Sequence, residues 1–161
     1  MKTTSSFQKM VKSALYFKAF LLFRLPLALI AGIKIDFIDK NQCKVALPFK
    51  WLNKNPFGSM YFASLSMASE LSTGLLVLQA IDNHEYQFSI LVKQMKGNFE
   101  KKGMENIYFE CHLKQELLFE TFEKTIKSDS WESITIESVG KTRDGEICCT
   151  FEYEWAIRKS K

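Results

Sequence analysis

What this 161-residue chain lacks narrows the field first. It has no zinc spacing: Cys43, Cys111 and the adjacent Cys148 and Cys149 form no C-x-x-C, and His84 and His112 stand alone. No metal and no cofactor are expected. It has no uninterrupted apolar run near its start, because Lys18, Arg24 and Pro26 break the stretch from Ala14 to Ile33. A membrane span of about 20 apolar residues is therefore not expected there. It shows no secretory signal, since no small-residue cleavage site follows a clean apolar run. Reduced, buried thiols in a cytoplasmic protein are the expectation. It has no strong charge either. The formal net charge is +4 and the lysines do not form one block, which argues against a nucleic-acid partner. No internal repeat, low-complexity tract or linker divides it, so residues 1–161 are read as one domain.

What is present is apolar and aromatic. Hydrophobic residues make up 47% and include 14 Phe. Such a composition supplies a full core and leaves large apolar contacts for a binding groove or a subunit interface.

The most informative stretch runs from Asn55 to Ile81, where Glu70 is the one charged side chain. Pro56 and Gly58 punctuate its approach, and Ser59 is placed to cap a helix. Met60, Met67, Leu71, Leu75 and Leu78 recur at helical spacing, while Ala63, Ser66, Glu70, Thr73 and Gly74 form a small-residue side. A central helix over 58–81 is expected, about 30 Å long at ~1.5 Å per residue. A helix so poor in charge is buried. A bilayer is the rival environment, but six serines or threonines and a central Glu make a poor lipid-facing surface. A sheet wrapped around the helix fits better. Glu70 then loses solvation, so its pKa should rise unless it is paired. Such acids mark functional sites, although a hydrogen-bonded Glu at a helix edge reads the same way in sequence.

The rest of the chain supplies the sheet. Residues 1–31 read as an N-terminal helical segment, capped by Ser5 or Ser6 and ended or kinked at Pro26. Its basic, Phe-rich patterning suits a membrane surface as well as a helix laid over the core. The second is preferred, and no membrane partner is expected. Ile33, Ile35 and Phe37, then Cys43, Val45, Leu47 and Phe49, alternate around an Asp39–Asn41 turn and predict a hairpin. Tyr86 to Phe99 carries apolar residues on both faces and predicts a central strand. Ile107 to Leu113 predicts another strand, Gln115 to Lys127 suits a short helix or a loop, and Trp131 to Lys141 and Ile147 to Ile157 predict a hairpin about Asp144-Gly145. The tail from Arg158 reads as solvated. The class is α+β.

A long helix after the first hairpin, wrapped by a curved antiparallel sheet, resembles the hotdog fold. The run Asn55-Pro-Phe-Gly58-Ser-Met-Tyr-Phe-Ala63, leading into Met67-Ala-Ser-Glu70-Leu-Ser-Thr-Gly74, resembles the thioesterase-like hotdog superfamily, in a branch carried as a domain of unknown function. Gly97 to Gly103 resembles that branch's strand and turn after the helix. The resemblance covers roughly residues 10–158. It implies an acyl-CoA type thioesterase in which Glu70 acts on the thioester or its attacking water. It also implies a homodimer, or a tetramer, that shares helix-start amides between subunits. Asn55, Gly58, Ser59, Ser66 and Thr73 are the candidate substrate-binding residues. Lys96, Lys101 and Lys102 could meet CoA phosphates or simply form a solvated turn. The family's His-Gly-Gly-like motif is replaced here by Tyr61-Phe62-Ala63. A non-catalytic acyl- or lipid-binding module on the same scaffold is therefore the alternative. A hydratase ranks last, because neither histidine lies at the helix start.

Overall fold

The computed structural model describes Phe7, Val11 and residues 13–160. The Ser5 or Ser6 cap falls outside the described residues. Helix α1 (Ala14–Arg24) stops at Leu25, and helix α2 (Pro26–Ala31) starts with Pro26 in its first turn. Proline cannot donate to the preceding turn but is well suited to begin a new one, so the expected break becomes an elbow. Gly32, at φ 76°, closes α2 in the left-handed conformation, and the Ile33 amide donates back to the Ala28 carbonyl.

Strands β1 (Lys34–Ile38) and β2 (Gln42–Leu47) form the predicted hairpin. Asp39 Oδ1 accepts from the amides of Asn41 and Gln42, each at 2.8 Å, and this fixes the turn. The register shifts between Ile35 and Phe37, which turns Phe37 outward to 46% exposure. Simple alternation had placed Phe37 beside Ile35, and a bulge inverts that parity.

A 3-10 turn (Trp51–Asn53) leads toward the long helix α3 (Phe62–Asp82). The helix begins at Phe62 with Tyr61 in the capping position, later than the expected 58, and ends at Asp82. Ser59 is not its cap. Its hydroxyl and amide are held by Asn55 in the preceding turn, at 3.0 and 3.2 Å, and the helix start moves to where the chain leaves that turn.

After α3 come β3 (Phe88–Phe99), β4 (Ile107–His112), helix α4 (Gln115–Ser128), β5 (Glu132–Lys141) and β6 (Ile147–Lys159). The six strands form one antiparallel sheet in the order β1-β2-β4-β5-β6-β3. Helix α3 packs against β2, β4, β5 and β6. The inner faces of β4 and β6, with Ile107, Phe109, Cys111, Phe151, Tyr153 and Ile157, close over it. Strand β3 is not central as expected. It lies at the sheet edge, pairs with β6, and leaves Leu91 through Phe99 exposed. Apolar residues on both faces signal burial, but here they mark an edge strand left exposed among the described residues. The tail also differs from expectation. Arg158 and Lys159 continue β6 and pair with Ser89 and Phe88.

Helix α4 buries Leu118, Phe122 and Thr125, one side of an amphipathic helix, against β5 and β6. It ends at Asp129 with φ 49°. Phe122 stacks on Phe88 at 4.4 Å, with His84 edge-on at 5.4 Å. All four cysteines are buried and free. Cys43 faces Cys111 across the β2–β4 ladder, and burial pushes both thiols up, Cys111 to about 12.

Helix α3 is the one described helix long and apolar enough to cross a membrane by length and composition, yet most of it is buried inside the fold. From Leu71 to Val77 every residue is buried. Its hydroxyls have uses there: Ser72 Oγ shares a 2.7 Å hydrogen bond with Ser138 Oγ on β5, tying helix to sheet.

Candidate functional site

One strip of α3 escapes the sheet. Ala63, Ser66, Met67 and Glu70 follow helical i, i+3, i+4, i+7 spacing; Ala63 is exposed and the other three are half-buried. Glu70 is the only charged member. Its side chain borders two clefts. One, of about 290 Å³, runs under the α1–α2 elbow, between Leu25, Pro26 and Leu27 on one side and Met67 and Leu71 on the other. The second, of about 440 Å³, is walled by Phe20, Leu78, Ile90 and Trp155. Both walls are overwhelmingly apolar.

Gly74 makes this arrangement possible. A Cβ there would lie 3.3 Å from Glu70 Oε1 and 3.3 Å from the Trp155 ring. The missing side chain lets the carboxyl and the indole share one turn of helix. Trp155 is fixed by a 3.1 Å hydrogen bond from its Nε1 to Thr73 Oγ1, and Thr73 in turn donates to the Glu70 carbonyl at 2.9 Å. Thr73 therefore orients a cleft wall, and its hydroxyl is already engaged. Ser66 contributes its carbonyl, which accepts from the Tyr153 hydroxyl at 2.9 Å.

Burial raises the Glu70 carboxyl above its ordinary range, and no cation among the described residues offsets it. Arg24 borders both clefts but forms no ion pair with it. A carboxyl raised in this way keeps its proton to higher pH than its solvated counterpart and is the stronger base once it has lost it.

The other candidates lie at the start of α3, in a different cleft of about 520 Å³. Asn55 and Ser59 line it, together with Phe57, Tyr61, Phe62 and Phe99. Asn55 Oδ1 accepts from the amides of Phe57 and Ser59 at 3.0 and 3.2 Å, and its Nδ2 donates to Ser59 Oγ at 3.0 Å. These groups build the turn. Gly58, at φ 77°, completes it in open space, a conformation that favours glycine. Within one chain this turn lies beyond Phe62, and Phe62 to Glu70 spans about 12 Å of helix at ~1.5 Å per residue. Lys101 and Lys102 border the same cleft. Lys101 is ion-paired to Glu146, and Lys96 lies 3.5 Å from Glu152. Glu70, Ser66 and Thr73 are thus neighbours on α3, and Asn55, Gly58 and Ser59 form a second group.

Sequence reasoning placed Gly74 on the Glu70 side of the helix, as found, but missed Arg24 and Trp155 as members of the Glu70 surroundings. One signal was readable: Trp155 lies on the inward side of the last strand's alternation.

Residues 13–157 match the family described as Domain of unknown function (DUF4442). The chain belongs to the DUF4442 family. Solved structures resembling this DUF4442 chain include a protein of unknown function from Pseudomonas aeruginosa, named as a probable thioesterase. It has TM-score 0.77 and 18% identity, and the match covers 92% of this chain and 97% of that one. A protein of unknown function from Chlorobaculum tepidum matches with TM-score 0.77 and 17% identity, over 99% and 100% of the two chains. A thioesterase from Haemophilus influenzae matches at 0.66 and 10%, over 91% of each. Comparison with curated proteins gives no match. The DUF4442 chain therefore has the thioesterase-like hotdog fold, with its sheet wrapped around α3 as the resemblance implied.

Proposed function

We propose that this protein hydrolyses acyl thioesters, of acyl-CoA type, with Glu70 acting on the attacking water or on the thioester itself. One observation carries the reading: a lone, desolvated carboxyl sits halfway along the core helix, between two apolar clefts. The clefts suit an acyl chain, because apolar walls with one polar group are what such ligands need. The raised pKa suits a general base, which works best when its pKa lies near the operating pH. Water attacks the thioester carbonyl carbon, Glu70 takes its proton, and the proton then passes to the leaving thiolate. The acid and the thiol are the products, and the carboxylate is regenerated.

The developing oxyanion needs donors, and amides at the start of a helix supply them. In one chain the turn at Asn55–Ser59 is about two helical turns from Glu70, so the donors in this reading come from a second copy. The edge strand β3, with Leu91, Met95 and Phe99 each more than 40% exposed, is the surface that such a homodimer would pair. The free buried thiols fit a reducing compartment such as the cytoplasm.

Hydrolysis of a panel of acyl-CoAs of graded chain length, by wild type and Glu70→Gln, tests the proposal. Turnover by wild type and its loss in the variant support it. A second reading, an acyl-binding module without catalysis, is favoured by the internally satisfied polar groups of the Asn55 turn. It predicts acyl-CoA binding without turnover in both proteins. Light scattering of wild type and of Met95→Lys reads the dimer: a monomer in wild type sinks the shared-site arrangement.

A further inference from the structure

We propose that the α1–α2 elbow, together with the adjoining Trp51 turn, docks on an anionic lipid bilayer. Helix α1 turns Phe17 and Leu21 into the core. That leaves Leu15, Tyr16, Leu22 and Phe23 each more than half exposed, and on α2 Leu27 and Ile30 likewise. A helix laid over the core would hide its apolar residues, but most of these face outward. The exposed residues keep helical order. Leu15, Lys18 and Leu22 form one row of α1, and Tyr16, Ala19 and Phe23 form the next.

The 3-10 turn adds to this surface. Asn53 Nδ2 donates to the Ala31 carbonyl at 2.9 Å and Lys50 Nζ to the Ile30 carbonyl at 2.6 Å, which fastens the turn to the end of α2. Between those anchors Trp51 is 82% exposed. An exposed indole flanked by Lys50 and Lys54 is the pattern of a membrane-interface anchor.

Charge selects the occupant. From Met1 to Ile35 the chain has no Asp or Glu, and it carries Lys2, Lys9, Lys12, Lys18, Arg24 and Lys34. Between Asp39 and Glu70 there is again no acid. A second copy seated face to face would set the exposed Lys18 and Arg24 against their counterparts. A surface of phosphatidylglycerol or similar lipid would neutralise them while the Leu and Phe side chains enter the acyl boundary. Lys18 and Arg24 can bury their stems and keep their charged heads among the phosphates. The same elbow roofs the smaller Glu70 cleft, so a docked molecule would open that cleft toward the acyl chains. This last consequence rests on the thioester reading, and the docking does not.

The test is sedimentation of the full chain with phosphatidylcholine vesicles, with and without a quarter of phosphatidylglycerol. Wild type is expected to partition at least tenfold more onto the anionic vesicles and to lose about fivefold for each surface cation screened or removed. Leu15→Ser with Phe23→Ser should lower partition at least tenfold. The melting temperature and oligomeric state should hold, because both residues are exposed. Trp51 emission should move to the blue on vesicle addition, and Trp51→Phe should remove that shift. Wild type staying in the supernatant at low salt overturns the proposal, as does unchanged partition of the double variant. So does a fall in oligomeric state in the double variant without lipid, which would assign the face to a contact between copies.

Discussion

Glu110 and Glu70 are both carboxylates on the regular framework of the molecule, and their surroundings push them in opposite directions. Glu110, on the outer face of β4, lies 2.6 Å from Lys141 and 3.3 Å from Lys44. The hydrogen bond from Lys141, opposed by partial burial and helped by Lys44, holds its carboxyl below the usual range. Glu70 has burial and no cation among the described residues, and moves up. Paired acids of the Glu110 kind are part of how a sheet holds its strands in register. An unpaired buried acid costs stability, and acids perturbed in this way cluster at functional sites. Acid–base roles are assigned where environments drive carboxyl pKa values apart, and this molecule offers one such contrast.

The largest effect should come from removing the unpaired acid. Glu70→Gln keeps the shape and loses the base, and should lower kcat for acyl-CoA hydrolysis by about 10²–10⁴-fold. Glu110→Gln should change the same rate by less than about twofold, since the outer face of β4 touches neither cleft. Comparable losses in the two variants would erase the contrast.

A second experiment makes Glu70 resemble Glu110. Met67 lines the cleft under the elbow one helical turn before Glu70. Met67→Lys places an ammonium at i, i+3 spacing, within reach of the carboxyl. The acid limb of the pH–rate profile should move to lower pH, and the plateau rate should fall about tenfold as the base weakens. An unmoved acid limb would show that Glu70 does not set it.

The contrast explains what the sequence could and could not convey. Glu70 stood out because nothing charged surrounds it in the chain from Asn55 to Ile81, and local sequence conveys local isolation well. The wrapped helix and all six strands followed from period and turn chemistry. The edge position of β3 did not, because an apolar strand reads the same at the centre of a sheet as at its rim. The start of α3 was misplaced because Ser59 is equally good as a cap or as a partner for Asn55, and side-chain competition decides that in space. Trp155 lies 85 residues from Glu70 along the chain, so its role as a cleft wall depends on the register of β6. The basic, Phe-rich patterning of residues 1–31 was legible, but which of its apolar side chains face outward was not, because that depends on how α1 and α2 pack.

The smallest effects, in thermal stability, carry opposite signs and so are the sharpest form of the comparison. For Glu70 the folded pKa is raised, so the folded state binds the proton more tightly than the unfolded chain. Stability contributed this way is present at acid pH and is lost as pH rises through the folded pKa. Glu70→Gln should therefore melt above wild type near pH 7, and the gap should close as pH falls toward the ordinary carboxylate value of about 4. For Glu110 the folded pKa is lowered. Its contribution is present above the ordinary value and lost as pH falls through the folded one. Glu110→Gln should melt below wild type near pH 7, by about 0.5–1 kcal/mol for a partly exposed pair, or about 2–4 °C for each kcal/mol in a chain of this size. That deficit should persist to about pH 4 and close only in more acid solution. Melting curves of the three proteins from neutral to acid pH decide it: two deficits of the same sign would mean that Glu70 is held by a partner and is no freer than Glu110.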